Sequence, residues 1–196
     1  SPRQPQSYDI QLEHVSFAYD ENAEKALDDV SLTVRQGTVT ALVGESGGGK
    51  STIANLIARF WDVQEGTVNI GGVDVCDMDY GEWMKRVSIV FQDTSLFKMS
   101  ILENVATFCP DATREEILRA LHLAQCDDIL EKLPDGVDTV IGTKGIYLSG
   151  GEMQRIALAR AILKDAPVIL LDEATAFADA ENEYLIQKAL DELLRG

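Results

Sequence analysis

The sequence predicts an α/β fold carrying an inserted helical lobe, and three stretches predict it. An apolar run, Val39 to Val43, feeds a glycine-rich loop and then a helix-like segment, Ile53 to Phe60. A second apolar run, Val168 to Leu171, ends in the acids Asp172 and Glu173. Between them, from Asp93 to about Tyr147, the pattern becomes mainly helical. At 196 residues and 45% hydrophobic composition, the chain is long enough to bury a core as one elaborated domain or as two small lobes.

The loop Gly44-Glu45-Ser46-Gly47-Gly48-Gly49-Lys50-Ser51-Thr52 fits G-x-x-x-x-G-K-[ST] at Gly44, Gly49, Lys50 and Ser51, in strand-loop-helix context. Glycines let successive backbone N–H groups turn inward around an anion, and the following helix adds its positive end. Lys50 is placed to reach the β- and γ-phosphates of a nucleotide, and the Ser51 hydroxyl to complete the shell of a Mg²⁺ ion. A plain Gly/Ser turn between strand and helix is the competing reading of the same residues.

Other elements follow in order. Ile10 to Phe17 reads as a first strand, with Leu12, Val15 and Phe17 supplying apolar faces. Val30 to Val34 alternates as a second, and Gln36-Gly37 turns into the run that feeds the loop. Gly66 precedes a short strand, Thr67 to Ile70, closed by Gly71-Gly72, and Val87 to Phe91 is a further apolar run. Thr113 and Glu116 have capping-box spacing ahead of a helix whose face carries Ile117, Leu121 and Ala124. Asp127 to Leu133 forms a second short helix, ended by Pro134-Asp135-Gly136. A helix over 151–163, the strand Val168 to Leu171 and a last helix, about Glu181 to Leu194 with Leu185, Ala189 and Leu193 on one stripe, complete the chain.

Bulk properties exclude several classes. A formal charge of −16 and a pI near 4.4 argue against a nucleic acid held on a basic surface. Cys76, Cys109 and Cys126 have no metal-like spacing and are read as free thiols of a reducing compartment. His14 and His122 are isolated and read as structural or exposed. No apolar run is long enough to span a bilayer, and the expectation is a cytosolic chain.

Two further stretches carry chemistry. A carboxylate at the C-terminal end of a strand lies where open α/β sheets bind ligands, so Asp172 is a candidate to hold Mg²⁺ through water. Glu173 is then placed to orient or deprotonate an attacking water. In Leu148-Ser149-Gly150-Gly151-Glu152, Ser149 and Glu152 again have capping-box spacing, but the double glycine also exposes backbone N–H groups at a helix start. One nucleotide does not need two such anion sites from one chain, so the second is read as serving a nucleotide on another copy.

Together these motifs resemble the nucleotide-binding domain of an ABC transporter: GESGGGKST as Walker A, LSGGE as signature and VILLDE as Walker B, in the family's order. Gln92 resembles the Q-loop glutamine, Tyr19 the aromatic residue that stacks on adenine, and Asp179 the D-loop aspartate. The resemblance implies a P-loop NTPase core, about 8–92 and 164–196, with an N-terminal antiparallel β subdomain and a helical subdomain, about 93–163. It implies ATP and Mg²⁺ as cofactors, with Tyr19, Gly44 to Thr52 and Gln92 on the nucleotide. Ser51, Gln92 and Asp172 would serve the metal, and Glu173, Lys50 and Gln92 hydrolysis. It implies a head-to-tail dimer, identical or not, in which Ser149, Gly150, Gly151 and Glu152 meet the partner's ATP.

Phe91 to Phe97 and Leu133-Pro134-Asp135-Gly136 are similar to subunits of exporter-type transporters, whose ATPase follows the membrane domain in one chain. Residues 1–7 are read as a linker from such a domain, which places the ATPase at the cytoplasmic face of the inner or plasma membrane. Residues 174–182 resemble a bacterial subgroup that handles iron siderophores. The chain departs from the family at several places, Thr143-Lys144 among them, where exporters often carry acidic and basic residues that touch the membrane domain. The signature ends in Glu152 rather than Gln, a carboxylate that triphosphate repels unless it is screened. The D-loop reads Ala176-Phe177-Ala178-Asp179 rather than Ser-Ala-Leu-Asp. The chain stops 23 residues after Glu173, before the family's switch histidine, so a C-terminal truncation is expected.

The leading reading is an ATPase that powers transport. One alternative is a soluble ABC ATPase acting on nucleic acid or ribosomes. It lacks the expected coiled-coil insertion, since only 98 positions separate Lys50 from Leu148. The other alternative is a nucleotide-binding fragment without turnover.

Overall fold

The structure is a computed structural model, and it describes residues 1–44, 49–91, 96–172 and 180–195. The chain divides into two compact units, 1–87 and 88–196.

The first unit is built on a four-stranded antiparallel sheet. Strands β1 (Ile10–Phe17) and β2 (Leu27–Val34) pair with Ile10 opposite Val34 and Phe17 opposite Leu27. After helix α1 (Lys50–Ile57) come β3 (Glu65–Ile70) and β4 (Val73–Asp74), giving the order β2-β1-β3-β4. The register of β1 slips between Leu12 and Val15, where His14 takes a positive φ of 50°. That bulge lets Leu12, Val15 and Phe17 all reach the core despite their uneven spacing. A short helix α2 (Tyr80–Met84) seats Trp83, whose indole N–H donates to the Ile57 carbonyl at 3.0 Å inside the core. The linker-like N-terminal segment is tied to this unit by the Arg3 N–H, which donates to the Asp77 carbonyl at 3.2 Å.

One sequence expectation fails here. Residues 38–44 form no strand, and Val39 and Val43 stay 71% and 94% exposed. The physical reason lies in the pattern: a half-buried antiparallel sheet takes alternating strands, whereas Val39 to Val43 is apolar on both faces, as suits a strand covered on both sides. The β2-β1-β3-β4 sheet offers no such place.

In the second unit, β5 (Val87–Val90) pairs with β6 (Val168–Leu171), and the Asp172 N–H donates to the Val90 carbonyl at 2.9 Å. Helices α3 (Ile101–Val105), α4 (Arg114–Leu123), α5 (Asp127–Lys132), α6 (Gly150–Lys164) and α7 (Ala180–Leu193) supply the rest of its frame. The expected boxes at Thr113/Glu116 and Ser149/Glu152 are both present, each with its two reciprocal hydrogen bonds. Helix α6 is the axis: Ile156, Leu158 and Ala159 are buried in one cluster with Ile101, Ile117, Leu121, Ile129 and Ile186. The buried stripe of α7 is Ile186, Ala189, Leu190 and Leu193; the expected Ala189 and Leu193 are on it, whereas Leu185 is only half-buried and Ile186 takes its place. Helices α2 and α3 escaped the sequence reading because each spans only five residues, too short for a periodic signal.

Candidate functional site

The phosphate-loop motif lies in the first unit. Gly49 caps α1 with φ 89°, and a Cβ there would stand 2.5 Å from the Ala26 carbonyl oxygen and 2.7 Å from Leu27 Cδ2. Only glycine fits both the left-handed backbone and the close approach. Lys50 follows, and its Nζ donates to the Gly44 carbonyl at 2.7 Å, so the ammonium joins the two ends of the loop. Ser51 is exposed on the first turn of α1, whereas Thr52 is buried. Glu45, Ser46, Gly47 and Gly48 lie outside the described residues.

Tyr19 sits against α1. Its hydroxyl is 2.9 Å from Thr52 Oγ1 and accepts from Asn55 Nδ2 at 3.1 Å. Its ring meets Phe17 and Trp61 edge-on, with centroids 4.9 and 5.4 Å away, yet it remains 43% exposed. Thr52 is therefore engaged with the aromatic residue. Asn55 and Trp61 are additions that sequence reasoning missed; Asn55 sits one helical turn beyond Ser51, which was the available signal.

The LSGGE motif lies in the second unit. Ser149 and Gly150 are exposed at the start of α6, while Gly151 and Glu152 are buried. Ser149 Oγ accepts the Glu152 N–H at 3.2 Å, and Glu152 Oε1 accepts the Ser149 N–H at 3.0 Å. The second carboxylate oxygen, Oε2, is paired with Lys132 Nζ. Burial pushes the Glu152 carboxyl up, but the hydrogen bonds from Lys132 and from Ser149 outweigh it and hold it below the usual value. One turn on, the buried Arg155 makes a forked pair with Asp128, 2.6 and 3.1 Å, and donates to the Gln125 carbonyl at 2.5 Å and Asn182 Oδ1 at 3.0 Å. A Cβ on Gly151 would stand 2.7 Å from Asn182 Cγ. Neither Lys132 nor Asn182 is near the signature in sequence, and no local pattern points to them.

Asp172 is half-buried directly after β6. Gln92, Glu173 and Asp179 lie outside the described residues, as does the rest of 173–179. Among the described residues no group of three His, Cys, Asp or Glu side chains is arranged to hold a metal. Ser51, a hydroxyl in the first unit, and Asp172, a carboxylate in the second, are each an oxygen donor of a kind that Mg²⁺ takes, an ion that keeps most of its waters. The loop geometry at Gly44, Gly49 and Lys50 likewise suits a polyphosphate.

The sequence model of the ABC transporter family matches residues 27–176. The chain belongs to that family. Among solved structures, this ABC ATP-binding domain superimposes on a bacterial Atm1-family ABC exporter with ATP bound. The TM-score is 0.89 at 36% identity, covering 98% of this chain and 34% of the other. It is 50% identical over 186 residues to the mycobactin import ATP-binding/permease protein of Mycobacterium tuberculosis, covering 95% of this chain and 21% of that protein. Identity is 47% over 190 residues to ABC transporter B family member 28 of Arabidopsis thaliana (95% and 27%). With the ATP-dependent lipid A-core flippase of Legionella pneumophila it is 43% over 188 residues (96% and 32%). The ABC domain thus spans about a fifth to a third of the length of these relatives, and its type is that of the exporter-like ATP-binding domains. Among the described residues no helix is long and apolar enough to cross a membrane.

Proposed function

We propose that this ABC domain binds ATP at the Gly44–Thr52 loop, closes head-to-tail on a second ATPase domain, and hydrolyses ATP to drive a membrane domain. The supporting observation is the pair of anion-ready helix starts in one chain: α1 behind Gly49 and Lys50, and α6 behind Ser149 and Gly150. Each supplies half of a site. In this reading Tyr19 lies against the base, while the α1 backbone N–H groups and Lys50 hold the phosphates. Ser51, Gln92 and, through water, Asp172 would hold Mg²⁺, which would supply positive charge to the phosphate oxygens. Glu173 orients the attacking water and takes its proton. Lys50 and the Ser149 hydroxyl of the other domain offset the charge that develops on the γ-phosphate. Gln92 relays occupancy towards the membrane domain, at the helical subdomain of about 93–163.

Such a division requires a dimer for turnover, and a lone chain is slow. Residues 1–7 fit a lead-in from a membrane domain of the same polypeptide, on the cytoplasmic side. Among the cargoes named by the relatives, we propose a siderophore, on the 50% identity to the mycobactin import protein and the resemblance of 174–182. The test is Glu173→Gln: ATP binding persists while steady-state hydrolysis falls roughly 10²–10⁴-fold. Undiminished hydrolysis refutes the role.

A further inference from the structure

In the family's signature the last residue is a neutral amide; here it is Glu152, one of 33 acids in a chain of net charge −16. If the proposed function holds, this carboxylate lies beside the partner's triphosphate, where a bare negative charge opposes closure. Its surroundings are specific. Oε1 is committed to the Ser149 N–H in the capping box, which fixes the carboxylate plane. Oε2, the atom that stands where the amide nitrogen of a glutamine would, is paired with Lys132 from the end of α5. The Glu152 side chain is 11% exposed and that of Lys132 60%, so the acid is enclosed while the ammonium keeps a solvent-facing side.

We infer that Lys132 is a positioning residue of the signature: it neutralises Glu152 and restores, with its own N–H donors, the outward polarity that a glutamine amide would have presented. The ammonium has three donors, and one on Oε2 leaves the others for solvent or phosphate. The Ser149 hydroxyl oxygen already accepts the Glu152 N–H, so its own hydrogen remains for an acceptor outside the box. Charge compensation also explains how an acid is tolerated at a site that must take up a polyanion. Asp128 also feels the Lys132 charge, but its carboxylate is hydrogen-bonded to Arg155, whereas the Lys132 ammonium is hydrogen-bonded to Glu152.

This inference rests on the proposed function, and its test separates the two. In the full-length protein, the ATP concentration that half-saturates hydrolysis is measured for wild type, Lys132→Met, Glu152→Gln and the double variant, at low and high salt. Thermal melting confirms folding. Lys132→Met raises the half-saturating ATP about tenfold at low salt, the scale of one uncompensated charge near a phosphate at intermediate dielectric. The deficit shrinks at high salt, where such repulsion is screened. In the Glu152→Gln background, Lys132→Met has no effect. An equal, salt-independent loss in both backgrounds means that Lys132 only packs, and overturns the inference; so does no loss in either. A wild-type protein that does not hydrolyse ATP overturns the proposed function and this inference with it.

Discussion

Arg155 is a buried charge of the second unit held by several acceptors, and Asp128→Ala tests what that pairing contributes. The Arg155 side chain is 2% exposed, whereas that of Asp128 is 51% exposed. The forked pair is therefore asymmetric. Removing the arginine strands an acid that is already half in water; removing the acid strands a guanidinium that cannot reach it. Its Nε already lacks an acceptor among the described residues. Breaking a buried pair costs about 3–5 kcal/mol. Because Arg155 keeps the Gln125 carbonyl and Asn182 as neutral acceptors, the expected cost of Asp128→Ala is about 2–3 kcal/mol. Burial pushes Asp128 up, but the Arg155 hydrogen bonds and charge outweigh this and leave its carboxyl below the ordinary 3.8. A depressed folded value means that the stabilisation is fully present above 3.8 and is lost as pH falls through the folded value. The wild-type advantage over Asp128→Ala thus narrows only at acid pH. The assay must report on the second unit, and both tryptophans, Trp61 and Trp83, lie in the first. Native-state amide exchange along α6 meets that need. Adding Arg155→Met to Asp128→Ala should recover at least about 1 kcal/mol, since it removes the stranded charge. Unchanged α6 protection in Asp128→Ala, or strict additivity in the double variant, refutes the reasoning.

Two glycine variants follow from close approaches in the structure. Gly49→Ala forces a side chain into φ 89° and against the Ala26 backbone, so it should cost about 2–4 kcal/mol and abolish nucleotide binding; thermal unfolding and ATP titration read both. Gly151→Ala pushes Asn182 off Arg155 and should destabilise by about 1 kcal/mol, the lost hydrogen bond exceeding the gain in helix propensity. Adding Asn182→Ala frees the space, so Gly151→Ala should then be neutral or stabilising in the same denaturation assay.

What was legible in the sequence was what local pattern encodes. Both capping boxes were readable because Ser/Thr and Glu three residues apart satisfy each other within one turn. The place of Gly49 at the head of α1 was readable because the glycine-rich motif fixes residue types at set spacing ahead of a helix. The run Val39 to Val43 misled because apolar composition signals burial, and burial as a strand requires a partner strand that the run does not itself specify. On α7, Ala189 and Leu193 were placed correctly, but Leu185 was chosen over Ile186 because the two are equally apolar, and only packing against α6 selects Ile186.

The residues that hold the signature in place were illegible for a further reason: they come from elsewhere in the chain. The start of α6 is fixed by Lys132 and Asp128 of α5, by the Gln125 carbonyl just ahead of it, and by Asn182 of α7. Hydrophobic packing cannot set the rotation of this helix, because buried residues surround it on nearly every side. Polar contacts, which depend on direction, do so instead. A signature is thus a local motif whose aim is set by three distant side chains. A substitution at 128, 132 or 182 should alter how Ser149 and Gly151 are presented while leaving every letter of the motif intact.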